Sequence, residues 1–162
     1  MSADLPTSAL ELRSTLTDDG LVTMRIRETE VAAPTDDQVV VRVDAAPINP
    51  SDLGMMLAGG DADAALPAGD GVHDAVAVPV TQAAVAAQRA RLGKPMPIGN
   101  EGGGVVVAAG SSPAAQALLG KTVGFLSGNA YAQYRTLHTS QCLAMAEGTD
   151  PADAAAAFVN PL

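Results

Sequence analysis

The stretch that most constrains this chain is Pro97 to Gly110, PIGNEGGGVVVAAG, where Pro and Gly punctuation gives way to Val105, Val106 and Val107. A β-branched run closed by GSSP predicts a buried strand entered through a close-packed glycine segment. The glycines invite a phosphate-loop reading, and two observations oppose it. A dinucleotide pattern beginning at Gly102 and Gly104 requires a third glycine at 107, where valine stands. The glycines also precede the strand, whereas a dinucleotide site needs strand, glycine turn and then helix, because the helix N-terminus holds the pyrophosphate. Close approach of two backbones is the expected role of these glycines.

Around this strand the chain reads as a succession of short elements. Leu10 to Ser14 starts the structure, and Leu21 to Val31 predicts a strand with Val22, Met24 and Ile26 on one face. Gln38 to Asp44 alternates Val39, Val41 and Val43 against Val40, Arg42 and Asp44, and the intervening PTDD predicts a hairpin. AAPINPSD is a loop stiffened by Pro47 and Pro50, after which Ser51 is expected to cap a short helix through Leu57. Gly59 to Pro79, rich in Gly, Ala and Asp, predicts a mobile surface excursion. Thr81 to Leu92 predicts a helix with Thr81 as N-cap and Gly93 at its end. Pro113 to Leu119 allows one or two helical turns. Lys121 to Leu126 and Tyr131 to Leu137 predict strands joined through SGNA, and Gln141 to Met145 a last short strand. Thr149 or Asp150 caps a final helix beginning at Pro151. Many short strands, two or three small helices and no βαβ alternation favour a mainly-β, barrel-like architecture over a doubly wound sheet.

Composition narrows the function classes. With aromatics confined to Phe125, Phe158, Tyr131 and Tyr134, the core must be built from Val, Leu, Ile, Met and Ala. A formal charge of −9, from 18 acidic and 9 basic residues, argues against nucleic-acid binding. The local basic cluster of Arg89, Arg91 and Lys94 is read as a helix C-terminus complementing its own dipole. A single cysteine, the lack of a basic-then-apolar leader and the lack of a long apolar run predict a soluble, cytoplasmic protein without membrane association.

Several candidate chemistries fail at this level. His73 with Asp70 and Asp74 lacks a second imidazole or thiolate at ligand spacing, so a solvated loop is expected there. His138 is assigned to a surface strand end. Cys142 has no neighbouring cation or helix N-terminus to lower its pKa, which predicts a buried, inert thiol. Ser127 and Ser140 lie in turns without a nucleophile elbow.

The loops AAPINPSDL and PIGNEG carry a more specific signal. Together with the strand order, GKTVGFLSGNAYAQYR and the terminal AAAAFVNPL, they make the chain resemble the N-terminal, GroES-like catalytic domain of medium-chain dehydrogenases and reductases. The likeness is to the zinc-independent quinone oxidoreductase and trans-2-enoyl thioester reductase branch. It covers residues 21–150, with an insertion at 60–94 outside it. Residues 1–20 are an N-terminal extension or first strand, and 151–162 are the start of a helix connecting to a cofactor domain absent from this chain.

The resemblance implies a partly open GroES-like barrel and hydride transfer from NADP or NAD in the complete enzyme, with neither cofactor bound to this chain alone. Zinc-dependent relatives place a cysteine and a histidine where Asn49 and Asn100 stand, so no zinc is implied. Asn49 is the implied catalytic residue, with a weaker role in contacting the cofactor. Asp52, Met55, Asn100, Glu101 and Tyr131 are implied to shape the substrate cleft, Asn100 and Glu101 by bracing their loop. The enoyl reductases of this pattern place a tyrosine acid after the NPSD loop, and MMLAGGDA has none. YAQY is expected to put Tyr131 and Tyr134 on one strand face. The implied partners are a small-molecule substrate and a Rossmann cofactor domain, in the same chain or as a separate subunit of a heteromer. A non-enzymatic GroES-like binding module is the alternative, and an exposed apolar face around Ala154 to Leu162 would favour a severed enzyme over such a module.

Overall fold

The computed structural model describes residues 5–69 and 75–159. These form two compact units, one of residues 5–10, 28–47 and 99–159, the other of residues 11–27, 48–69 and 75–98. The expected mainly-β class holds, with a GroES-like fold built on two five-stranded sheets.

The first unit is organised by β7 (Glu101–Ala109), the strand expected from the glycine–valine stretch. It is the middle strand of an antiparallel sheet ordered β10 (Cys142–Ala144), β8 (Thr122–Leu126), β7, β3 (Gln38–Ala45), β9 (Tyr134–His138). Its apolar side closes over Val39, Val41, Val106, Val123, Phe125 and Leu137, a core with one aromatic ring, as the composition requires. Val40 is as fully buried as Val39 and Val41. The register shift between Val40 and Val41 puts its extra residue, Val107, in β7, so β3 keeps its alternation and Val40 is buried on the face opposite Val39 and Val41. A strand buried on both faces belongs inside a sheet, and β3 lies between β7 and β9 while β2 (Leu21–Glu30) pairs with β5 (Ala75–Pro79). PTDD therefore joins two sheets and does not close a hairpin. Its Thr35 carbonyl accepts locally from Gln38 N–H at 2.9 Å, while its Asp36 carbonyl accepts from Ser112 N–H at 3.0 Å, beyond the end of β7.

The glycines of β7 act through close approach. Gly103 lies opposite Gly124 of β8. A Cβ at Gly103 would stand 2.2 Å from the Pro151 carbonyl oxygen, and one at Gly124 2.5 Å from that of Ala154. The helix Pro151–Ala155 thus rests directly on sheet backbone, capped by Asp150, whose carboxylate accepts from Ala152 N–H at 2.9 Å. At Gly104 a Cβ would fall 1.9 Å from the Arg42 carbonyl oxygen, so the same run also seats β3. Ser112 caps a further single-turn helix, Pro113–Gln116.

In the second unit, β5 pairs with β2 on one side and with β4 (Leu66–Pro67) on the other, and β1 (Ser8–Leu16) pairs with β6 (Met96–Pro97). Two short helices complete it, α1 (Pro50–Leu57) and α2 (Gln82–Ala87). Leu16, Val22, Ala58, Val78 and Val85 form its core. Two expectations change here. The stretch read as a mobile excursion supplies β4 and all of β5, because Ala75, Ala77 and Val78 are buried where the strand pairs with β2, a pattern that glycine and aspartate on its N-terminal side obscured. Residues 70–74, and with them His73, Asp70 and Asp74, lie outside the described residues. Thr81 caps α2 as expected, accepting from Ala84 N–H at 3.2 Å. With the two helices of the first unit, the described residues hold four short helices where two or three were expected, the surplus being single turns that a cap and a proline suffice to start.

Two alanine substitutions separate packing from propensity. Gly104→Ala forces a methyl against the Arg42 carbonyl and is expected to lower stability by about 2–4 kcal/mol. Gly54 sits in α1 with nothing within 4 Å of a built Cβ, and Gly54→Ala should raise stability by about 0.5–1 kcal/mol. Urea melts followed by circular dichroism read both.

Candidate functional site

In the second unit, the loop PINPSD is fixed by its own polar groups. Pro50 forces the preceding residue into extended backbone, and Asn49 at φ −88°, ψ 156° becomes the N-cap of α1, two residues earlier than the expected Ser51. The Asn49 N–H donates to the Asp52 carboxylate at 2.9 Å, and the Asp52 N–H returns to the Asn49 carbonyl at 2.9 Å. This is a capping box closed by a proline, and it explains why Asn49 at 3% exposure and Asp52 at 0% can be buried. Around them α1 presents apolar surface, with Ile48 68% and Leu53 42% exposed and Met55 half-buried.

In the first unit, Asn100 and Glu101 lead into β7. The Asn100 carbonyl accepts from Ser127 N–H at 3.0 Å. Glu101 is completely buried, and one carboxylate oxygen accepts from Phe158 N–H at 3.0 Å and Val159 N–H at 2.8 Å. A buried carboxylate receiving two backbone N–H groups makes charge-assisted hydrogen bonds to the chain just past the last helix. Glu101 thereby ties down the chain beyond that helix. The expected apolar face is correspondingly covered at Ala154 and Ala155, at 0% and 3% exposure, and open at Val159, at 37%.

Tyr131 and Tyr134 do not share a strand face. Strand β9 begins at Tyr134, and Tyr131 precedes it in the loop, its hydroxyl donating to the Pro47 carbonyl at 2.9 Å. Residues three apart on a continuous strand point to opposite faces, and here Ala130 N–H also closes onto the Gly99 carbonyl at 2.9 Å, turning the chain before the strand starts. His138 ends β9 on the surface, its ring Nδ1 accepting from Ser140 N–H at 3.2 Å. Burial pushes the Cys142 thiol up to about 11.

Sequence reasoning missed two charged positions of the second unit. Glu11 of β1 is 2% exposed, one oxygen 3.0 Å from the Arg13 guanidinium and the other without a partner among the described residues. The alternation of Ala9 and Glu11 on one strand face was the available signal. Arg91 reaches away from its own helix to Ser14 Oγ at 2.9 Å and the Met55 carbonyl at 3.0 Å, and burial lowers its pKa. No local pattern announced that reach.

No family model and no curated protein matches the chain. Solved structures do. A Mesorhizobium loti protein assigned as an NADPH:quinone reductase is 24% identical at a TM-score of 0.63, over 98% of this chain and 42% of that one. The CurK enoyl reductase is 14% identical at 0.62, over 95% and 40%. A Clostridium scindens protein assigned as a zinc-binding dehydrogenase is 18% identical at 0.63, over 91% and 44%. The chain thus shares its fold with part of these oxidoreductases and spans about two fifths of their length. No helix among the described residues is long and apolar enough to cross a membrane.

Glu101→Ala should release residues 158–159 and cost about 2–3 kcal/mol, read as accelerated amide exchange at Phe158 and Val159 together with a lower denaturation midpoint. The Cys142 thiol, two units above its ordinary value of 9.0, should react with iodoacetamide at pH 8 about 100-fold more slowly than a free cysteine peptide, and faster as pH rises toward 11. Equal rates would refute its burial.

Proposed function

We propose that this chain is the substrate-side, GroES-like domain of a zinc-independent, NAD(P)H-dependent oxidoreductase that reduces a quinone, enone or enoyl-type acceptor. The observation that carries the reading is the PINPSD capping box. It holds Asn49 and Asp52 buried and fixed, with Ile48 and Leu53 presenting apolar surface beside them. Named activities of the structural neighbours, NADPH:quinone reductase and enoyl reductase, agree with an acceptor of this kind.

The donor chemistry supports a metal-free site. Asn49 and Asn100 offer neutral amides, poor ligands for zinc beside thiolate and imidazole. The glycines of β7 are filled by the chain's own backbone at Arg42, Pro151 and Ala155, so they do not fit the phosphates of a dinucleotide. In this reading those phosphates belong to a separate dinucleotide-binding domain, and the isolated chain neither binds NAD(P)H nor turns over. When bound in the complete enzyme, the nicotinamide supplies the hydride. This chain's part is to orient an apolar acceptor along α1, to exclude water with Ile48, Leu53 and Met55, and to keep the Asn49 loop rigid through Asp52. Asn49 contacts the acceptor or nicotinamide in this assignment, while Asn100, Glu101 and Tyr131 brace the backbone of the first unit.

The test is NADPH and NADH oxidation by the protein at its native length, against a panel of quinones and 2-enoyl thioesters, before and after dialysis against a chelator. Turnover unaffected by the chelator is expected, with Asn49→Ala lowering kcat/KM about tenfold or more. Loss of activity on chelation would sink zinc independence. Micromolar NADPH binding by residues 1–162 alone would sink the division of labour.

A further inference from the structure

The carboxyl end of α1 is closed with unusual completeness. The Gly54 carbonyl accepts from Ala58 N–H at 3.2 Å, and the Leu57 carbonyl from Gly60 N–H at 2.8 Å. The other three carbonyls of the last turn take side chains from elsewhere in the same unit. Met55 receives Arg91 Nη1 at 3.0 Å, Met56 receives Ser14 Oγ at 2.8 Å, and Ala58 receives Gln88 Nε2 at 2.9 Å. The three donors are themselves linked, because Arg91 donates to Ser14 Oγ at 2.9 Å and to Gln88 Oε1 at 3.2 Å. The last turn of α1 has no basic residue of its own, so Arg91 is also the cation that its negative dipole end lacks.

We propose that Arg91 is a positioning residue, and that the insertion 60–94 clamps α1 from its carboxyl end so that Met55 and Met56 form a fixed wall against the acceptor. The assignment of that wall to an acceptor rests on the function proposed above; the clamp itself does not. Two features make Arg91 the hub. It joins β1, α1 and α2 at once, whereas Ser14 and Gln88 each supply one bond to α1. Its half-buried guanidinium also spans three acceptors in a fork that an ammonium cannot reproduce. Methionine side chains adapt readily to whatever packs on them, so a wall built from them keeps its shape only if the backbone beneath is held. Asn49 and Asp52 hold that backbone at the amino end, and Arg91 at the other.

Hydrogen exchange measured on the 162-residue chain tests the clamp without any activity. In Arg91→Met, exchange at Ala58 and Gly60 should accelerate about tenfold or more, while Val106 and Gly120 of the first unit keep their wild-type rates. Unchanged rates at Ala58 and Gly60 would overturn the proposal. Should Arg91→Met accelerate all four, Ser14→Ala and Gln88→Ala decide: acceleration confined to Ala58 and Gly60 supports the clamp, and its absence refutes it. With the native-length protein, Arg91→Met should raise KM for the acceptor about fivefold and leave kcat within about twofold, and Arg91→Lys should restore KM only in part. A fall in kcat at constant KM would remove Arg91 from the wall. Absence of any NAD(P)H-dependent turnover would instead count against the proposed function, and the exchange data would still judge the clamp.

Discussion

Direct contact between the last helix and bare sheet backbone is the constraint on which the first unit depends. Gly103 and Gly124 face each other across β7 and β8, and the helix carbonyls of Pro151 and Ala154 occupy the space their side chains would fill. Contact this close lets Ala154 and Ala155 become fully buried with only methyl groups to offer. It also brings the end of that helix within reach of Glu101, two residues before Gly103 on the same strand. A single strand thus seats the helix through its glycines and holds the departing chain through its carboxylate, and neither function works without the other. Removing the side chains lowers the area available for apolar burial, and the buried charge-assisted hydrogen bonds at Phe158 and Val159 offset part of that loss.

The second unit solves a related problem by different means. A helix of only eight residues has little intrinsic stability, since most of its backbone groups lie within a turn of an end. In α1 nearly all of those groups are answered. Asp52 and Asn49 close the amino end, and Arg91, Ser14 and Gln88 close the carboxyl end. The helix can then keep Leu53 and Met55 on its outer surface without depending on them for packing, which leaves apolar side chains available to a ligand.

Much of this was legible locally. The turn-and-strand pattern of PIGNEGGGVVVAAG located the middle strand of a sheet, and the order of Gly and Val excluded a phosphate loop before any coordinates. Thr81 and the Thr149–Asp150 pair were readable as caps because capping is a matter of three or four consecutive residues. That PTDD does not close a hairpin was not readable, because alternation in Val39–Val43 shows that a strand has two unlike faces and says nothing about which strand lies beside it. The long Gly, Ala and Asp stretch misled for the opposite reason: its composition resembles loop, and only pairing with β2 makes β5 a strand. Tyr131 was misplaced by a one-turn interruption that depends on Gly99, distant in sequence.

What the sequence determined by itself is the set of residues that must act over short range: a buried valine strand, glycines without room for side chains, proline-primed loops, and a cysteine with no neighbouring cation. Those properties follow from side-chain chemistry and backbone sterics within a few residues. Only the tertiary structure decided which carbonyls Arg91 would reach, which donors Glu101 would receive, and which strand each valine face would meet. Those are contacts between positions tens of residues apart, and their geometry exists only once the chain has closed on itself.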